Sequence, residues 1–232
     1  MSKLEIIKQH ITEQEIKAGR KKGSVKLIAV SKTKPMDQIK PVVDEGQTHF
    51  GENKVQEALL KWQEFKIRNK DIDLHLLGPL QSNKVKKVFG LFDYIHSLDR
   101  NSLAEKISDE VQKKGFCPKI FIQVNTGLEQ QKSGIEPEKL PEFLSVIRKN
   151  MDLNIVGLMC IPPINEAPEK HFKFLKNLAD ENGLLELSMG MSSDYITAIN
   201  CGATFVRVGT AIFGLRELFQ SIWPLFVAFV FK

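Results

Sequence analysis

The chain is short of cysteine, short of tyrosine and without a long uninterrupted apolar run, and each shortage removes a class of function. Cys117, Cys160 and Cys201 are an odd set with no CxxC spacing. Neither a disulfide framework nor a zinc site is implied, and a reducing cytoplasm is the expected home. His10, His49, His75, His96 and His171 include no HxH or i,i+4 pair, so no metal is expected. His75 and His96 fall in predicted strands and read as hydrogen-bonded structural groups. The net charge of +5 is mild and its lysines are scattered, which admits anionic small molecules and gives no support for nucleic acid. The N-terminal "MSKLEIIKQHITEQEIKAGRKKG" is too charged for a signal-peptide core. Its Leu4, Ile7, Ile11 and Ile16 recur at helical spacing and predict an amphipathic helix. At the other end, "LFQSIWPLFVAFVFK" (218–232) is apolar but interrupted by Pro224, and shorter than the roughly 20 residues of a membrane span. It reads as a packed terminal segment in preference to a membrane contact, distinct from a domain spanning 1–217.

What the sequence does have is alternation. Apolar runs bounded by turn residues predict strands over 26–31, 48–51, 73–77, 93–97, 119–125, 154–159, 185–188 and 204–208, with helical patterns between most of them. Eight strands alternating with helices after an extra N-terminal helix predict an α/β fold, a single (β/α)8 TIM-type barrel. A doubly wound open sheet is the competitor. In a barrel, residues at the carboxyl ends of the strands face the active mouth.

"KLIAVSKTKP" (26–35) carries Lys32 out of the first strand, with Lys34 and Pro35 behind it. A lysine in a partly dry pocket there favours its neutral amine, whose lone pair imine formation requires. Near the last two strands, "SMGMSSD" presents Gly190, Ser192, Ser193 and Asp194, and "VRVGTAIFG" presents Gly209 and Thr210. Hydroxyls and free amides at such strand-to-helix turns are a phosphate site that barrels often use. A phosphate site facing a reactive lysine suggests a phosphorylated aldehyde.

"AVSKTKP", "FGENKVQEA", "HLLGPLQSNK", "VNTGLEQQKSG", "GLMCIPP", "SMGMSSD" and "VRVGTAIFG" occur in order between residues 26 and 214. Together they resemble the pyridoxal phosphate homeostasis proteins, single-domain relatives of the alanine racemase barrel. The resemblance implies pyridoxal 5′-phosphate (PLP) held as an aldimine by Lys32, with Lys34 as a neighbouring lysine that helps hold or exchange cofactor. It implies phosphate contacts from Ser192, Gly209 and Thr210, Arg207 near the pyridine nitrogen, and Asn53 lining the mouth. Where the family usually has Tyr after "GEN", this chain has Lys54, and its apolar terminus also departs from the family's short charged end.

The resemblance implies a PLP-binding protein that buffers or delivers cofactor to PLP-dependent client enzymes, without robust catalysis, in the cytoplasm and as a monomer. The first alternative is a fold-type III-like PLP enzyme, a slow racemase or lyase. It requires an acid or base at the cofactor, and of the two tyrosines, Tyr94 and Tyr195, only Tyr195 lies near a phosphate turn. The second is a Schiff-base aldolase, which calls for acidic partners around the lysine; the sequence shows no such cluster near Lys32.

Overall fold

The first strand is the run Lys26–Val30 (β1), and its neighbours on both sides are parallel to it: β2 (His49–Glu52) and β8 (Phe205–Val208). The computed structural model describes residues 1–214. Between β2 and β8 follow β3 (Asp73–Leu76), β4 (Tyr94–Leu98), β5 (Lys119–Gln123), β6 (Ile155–Met159) and β7 (Glu186–Met191), each paired with the next. Closure of β8 onto β1, in the register Lys26–Phe205 through Ala29–Val208, makes a (β/α)8 barrel and excludes the open sheet. Strands covered on both faces need apolar residues at successive positions, which is why "KLIAV" and "KIFIQ" do not alternate.

The helices among the described residues are α1 (Lys3–Lys17), α2 (Met36–Asp44), α3 (Val55–Arg68), α4 (Val85–Val88), α5 (Asn101–Lys114), α6 (Leu140–Asn150), α7 (Pro168–Glu181), α8 (Tyr195–Asn200) and α9 (Thr210–Phe213). None is long and apolar enough to cross a membrane. Helix α7 buries Phe172, Leu175 and Leu178 against the strands, as their spacing predicts. The extra helix α1 opens on a capping box: Ser2 Oγ accepts from Glu5 N–H while Glu5 accepts from Ser2 N–H. It buries Leu4, Ile7 and Ile11 and packs against α8 and α9. Ile16 departs from the predicted stripe and is 63% exposed. Its neighbour Glu15 is buried instead, accepting from Gly23 N–H, Ser24 Oγ and Val25 N–H, and so directs the chain into β1.

Two cores result. One lies between strands and helices; the other fills the barrel, with Ile28, Tyr94, Phe121, Met159 and Phe205 packed together. Burying a ring such as Phe121 stabilises the fold by about 1.5–3 kcal/mol. The segment 218–232 and the domain boundary at 217 lie outside the described residues.

Candidate functional site

All six sequence-predicted site residues, Lys32, Asn53, Ser192, Arg207, Gly209 and Thr210, line one cavity of about 370 Å³ at the carboxyl ends of the strands. That volume falls in the range of small-molecule sites. Lys34, Ser193 and the apolar side chains of Leu77, Met159, Ile161 and Phe213 complete most of its wall.

Lys32 stands two residues beyond β1, not at its last position. The ladder continues through Ser31, whose N–H donates to the Gly51 carbonyl over 2.9 Å. Then Thr33 takes a left-handed φ of +64°, and Lys34 N–H donates back to the Ser31 carbonyl over 3.1 Å. Pro35 therefore does not stop the strand; Thr33 has already turned the chain, and Pro35 occupies the N-cap position of α2. Positive φ is costly for a β-branched residue and persists only where the surroundings enforce it.

The enforcing groups come from β2 and α3. The Lys61 ammonium donates to the carbonyls of Ser31 (3.0 Å) and Lys34 (3.3 Å) and pairs with Glu57 (2.9 Å) and Glu52 (2.7 Å). Glu57 also accepts from the Thr33 N–H over 2.6 Å. Burial works against the Glu57 carboxylate, but Lys61 and the Thr33 amide outweigh it and hold its pKa below the ordinary value. Glu52 is fully buried, and one of its oxygens accepts from Ser31 Oγ (2.7 Å) and Trp62 Nε1 (3.0 Å) as well. Its other oxygen has no hydrogen-bond donor among the described residues. The expectation that no acidic cluster stands near Lys32 is thus corrected. Two carboxylates lie behind its turn, but they grip Lys61 and backbone and do not line the cavity. The i,i+4 pair Glu57–Lys61 was readable as a helix pair; its reach to the β1 turn was not.

Asn53 follows β2 and is half-buried at the rim. Gly78 makes its position accessible, since a Cβ there would fall 2.3 Å from the Asn53 carbonyl oxygen. Lys54, by contrast, is exposed and absent from the cavity wall.

On the opposite wall β7 runs on to Met191, further than its sequence suggests, so Gly190, at φ +91°, lies within the strand before the turn begins. The β7–β8 register shifts between Ser188 and Met191, beside the site, where such irregularities commonly re-aim side chains. The two anticipated turns are joined: Gly209 N–H donates to Ser192 Oγ over 3.4 Å. Asp194 accepts from Met191 N–H over 2.6 Å and closes the first turn. Because α8 and α9 are only six and four residues long, an anion here would be met by loop amides and hydroxyls, not by the end of a long helix.

Arg207 is 5% exposed. Its guanidinium donates to Ser188 Oγ over 2.7 Å and to the Cys160 carbonyl over 2.9 Å. Burial lowers its pKa, while Cys160 and Asp194 act in the other direction. The thiol of Cys160 is itself pushed up to about 12 by burial. No Asp or Glu among the described residues forms an ion pair with Arg207, so its hydrogen bonds go to neutral groups alone and Asp194 acts on it only at longer range. A lysine, an unpaired buried guanidinium and two turns of amides and hydroxyls form a donor set that fits an anionic carbonyl compound.

The tyrosines lie elsewhere. The Tyr195 hydroxyl meets His10 Nδ1 on α1 at 3.3 Å, and Tyr94 bonds Lys119 at 3.0 Å where β4 and β5 begin. Neither lines the cavity, which removes Tyr195 as the candidate acid.

Residues 5–217 match the family model described as alanine racemase, N-terminal domain. A pyridoxal phosphate homeostasis protein of Vibrio alginolyticus is 40% identical over 231 residues, covering 94% of this chain and 99% of the relative. Among solved structures, PipY of Synechococcus elongatus PCC7942 with PLP bound superposes with a TM-score of 0.78 at 39% identity, covering 88% of this chain and all of that one. A protein of unknown function from Bifidobacterium adolescentis superposes with a TM-score of 0.85 at 33% identity, covering 91% of this chain and 93% of that one.

Proposed function

The chain belongs to the pyridoxal phosphate homeostasis proteins, within the alanine racemase N-terminal domain family, and from that premise we propose that it binds PLP covalently at Lys32. Its role is then to hold and release the cofactor within the cytoplasm, for PLP-dependent client enzymes. The observation that carries this reading is the convergence of Lys32, Arg207 and the 192–193 and 209–210 turns on one cavity.

PLP supplies an aldehyde, a phosphate and a pyridine ring. Lys32, on the cavity wall, is the residue whose amine would hold the cofactor through its aldehyde. Ser192, Gly209 and Thr210 would hold the phosphate, Asn53 would line the mouth, and Arg207 would stand toward the ring nitrogen. A cation there disfavours protonation of that nitrogen and weakens the ring as an electron sink. Together with the position of both tyrosines away from the cavity, this supports storage over turnover. The three free cysteines support a reducing compartment.

The test is an absorbance titration of the protein with PLP and with unphosphorylated pyridoxal, followed by assays with a panel of amino acids. The expected result is a visible band with PLP, much weaker binding of pyridoxal, and no turnover above free PLP. Turnover far above free PLP would return the racemase or lyase reading; no band would remove the PLP reading.

A further inference from the structure

A file of histidines crosses the barrel interior and ends on Arg207. His49 Nδ1 lies 3.0 Å from His75 Nε2, His75 Nδ1 lies 2.9 Å from His96 Nε2, and His96 Nδ1 lies 2.8 Å from Ser188 Oγ. Ser188 Oγ in turn accepts from Arg207. His75, His96 and Ser188 have no solvent exposure, and the rings are packed against Tyr94 and Phe121 at centroid distances of 4.1 and 4.4 Å. We propose that Ser188, His96, His75 and His49 form a relay of neutral hydrogen-bonding groups whose aligned dipoles stabilise the Arg207 cation and fix the face its guanidinium presents to the cavity. In assigning the cavity to PLP this inference rests on the proposed function; the relay itself does not.

The polarity of the chain follows from its fixed end. A guanidinium only donates, so the oxygen lone pair of Ser188 faces Arg207 and its hydrogen goes to His96 Nδ1. His96 then carries its proton on Nε2 and donates to His75 Nδ1. His75 likewise donates from Nε2 to His49 Nδ1. Each link turns its negative end toward the buried cation, so the three neutral rings add to the long-range attraction of Asp194. The opposite polarity would leave the buried Ser188 hydrogen without an acceptor and aim positive ends at Arg207.

The outer end is where the chain can be broken. His49 opens β2, half-buried, with Nδ1 also 3.4 Å from Asp73 of β3. Lys26 of β1, Lys119 of β5 and Asp93 ahead of β4 also act on it, and burial lowers its pKa. His75 and His96 are held well below the ordinary value by burial, with added repulsion from neighbouring imidazoles and lysines on His75 and from Arg207 on His96. At neutral pH the relay is therefore uncharged. Once His49 takes a proton, its Nδ1 becomes a donor and His75 loses its acceptor. The chain then breaks or reverses, and either outcome weakens the hold on Arg207.

The experiment uses the full chain in two parts. In ligand-free, 15N-labelled protein at pH 7.5, imidazole spectra are expected to show His75 and His96 as Nε2–H tautomers; Nδ1–H at His96 would overturn the polarity and the proposal. PLP affinity is then measured between pH 8.5 and about 5.5 in wild type, Ser188→Ala and His49→Gln. Ser188→Ala cuts the link to Arg207 and is expected to weaken PLP binding roughly tenfold at every pH. Because burial lowers the His49 pKa, wild-type affinity is expected to hold through the ordinary imidazole value of about 6.5 and to fall only at lower pH. His49→Gln, which keeps an acceptor but cannot titrate, is expected to lose that fall. Folded variants with wild-type affinity and pH profile would overturn the relay. Absence of PLP binding in wild type would overturn the proposed function, and the tautomers would still decide the relay.

Discussion

On the β1 wall of the cavity, Lys61 is gripped by Glu52 and Glu57 and grips the carbonyls of Ser31 and Lys34. On the β8 wall, Arg207 is held by a hydroxyl and a carbonyl alone. The first wall places a full set of charges behind the turn that carries Lys32, so the turn keeps a strained φ at Thr33. The second leaves its cation without a carboxylate in direct contact and so able to act on whatever anion or ring enters. One wall spends charge on geometry; the other reserves charge for a ligand.

The sharpest way to break this contrast is to remove the charge that positions. Lys61→Met strands two carboxylates, one of them fully buried, and is expected to cost about 3–5 kcal/mol. Urea denaturation measures it, and adding Glu52→Gln is expected to recover part of the loss; an unchanged midpoint would show that the clamp is not needed.

The neutral wall predicts a different signature, in pH. Burial holds His75 and His96 well below the ordinary imidazole value. Above about pH 6.5 both folded and unfolded chains leave them neutral. As pH falls below that, the unfolded chain binds protons that the native state refuses, and stability drops by about 1.4 kcal/mol per pH unit for each ring. His75→Phe is expected to make the slope shallower by one ring's share in urea titrations across this window. An identical slope would mean that His75 charges in the native state.

Gly78→Ala tests the rim. Its new Cβ would fall 2.3 Å from the Asn53 carbonyl oxygen, with an expected cost of about 1–3 kcal/mol and weaker PLP binding as Asn53 shifts. Lys54→Tyr, which restores the residue usual after "GEN", should do least. Lys54 is exposed, so PLP affinity is expected to change by less than about twofold, the scale of an ordinary surface substitution. A larger gain would place this position in the site after all.

The strands were legible because a barrel strand buried on both faces is an unbroken apolar run, as in "KIFIQ". The candidate positions were legible because barrel cavities open at strand ends, and Lys32, Ser192 and Gly209 each follow a strand within a few residues and line one cavity. Gly190 misled, since a glycine in "SMGM" looks like a turn yet lies within β7, which ends at Met191. Ile16 misled because the last turn of α1 buries Glu15 to bond the loop ahead of β1. The relay was beyond reading: His49, His75, His96, Ser188 and Arg207 stand on five different strands, and only closure of the barrel brings them into line.

The most direct test of the central claim, that the two walls converge on PLP with Lys32 as its attachment, is borohydride reduction of the PLP-loaded protein followed by peptide mapping. A pyridoxyl adduct is predicted on Lys32 and absent in Lys32→Ala. An adduct elsewhere, or none in a folded protein, would contradict it.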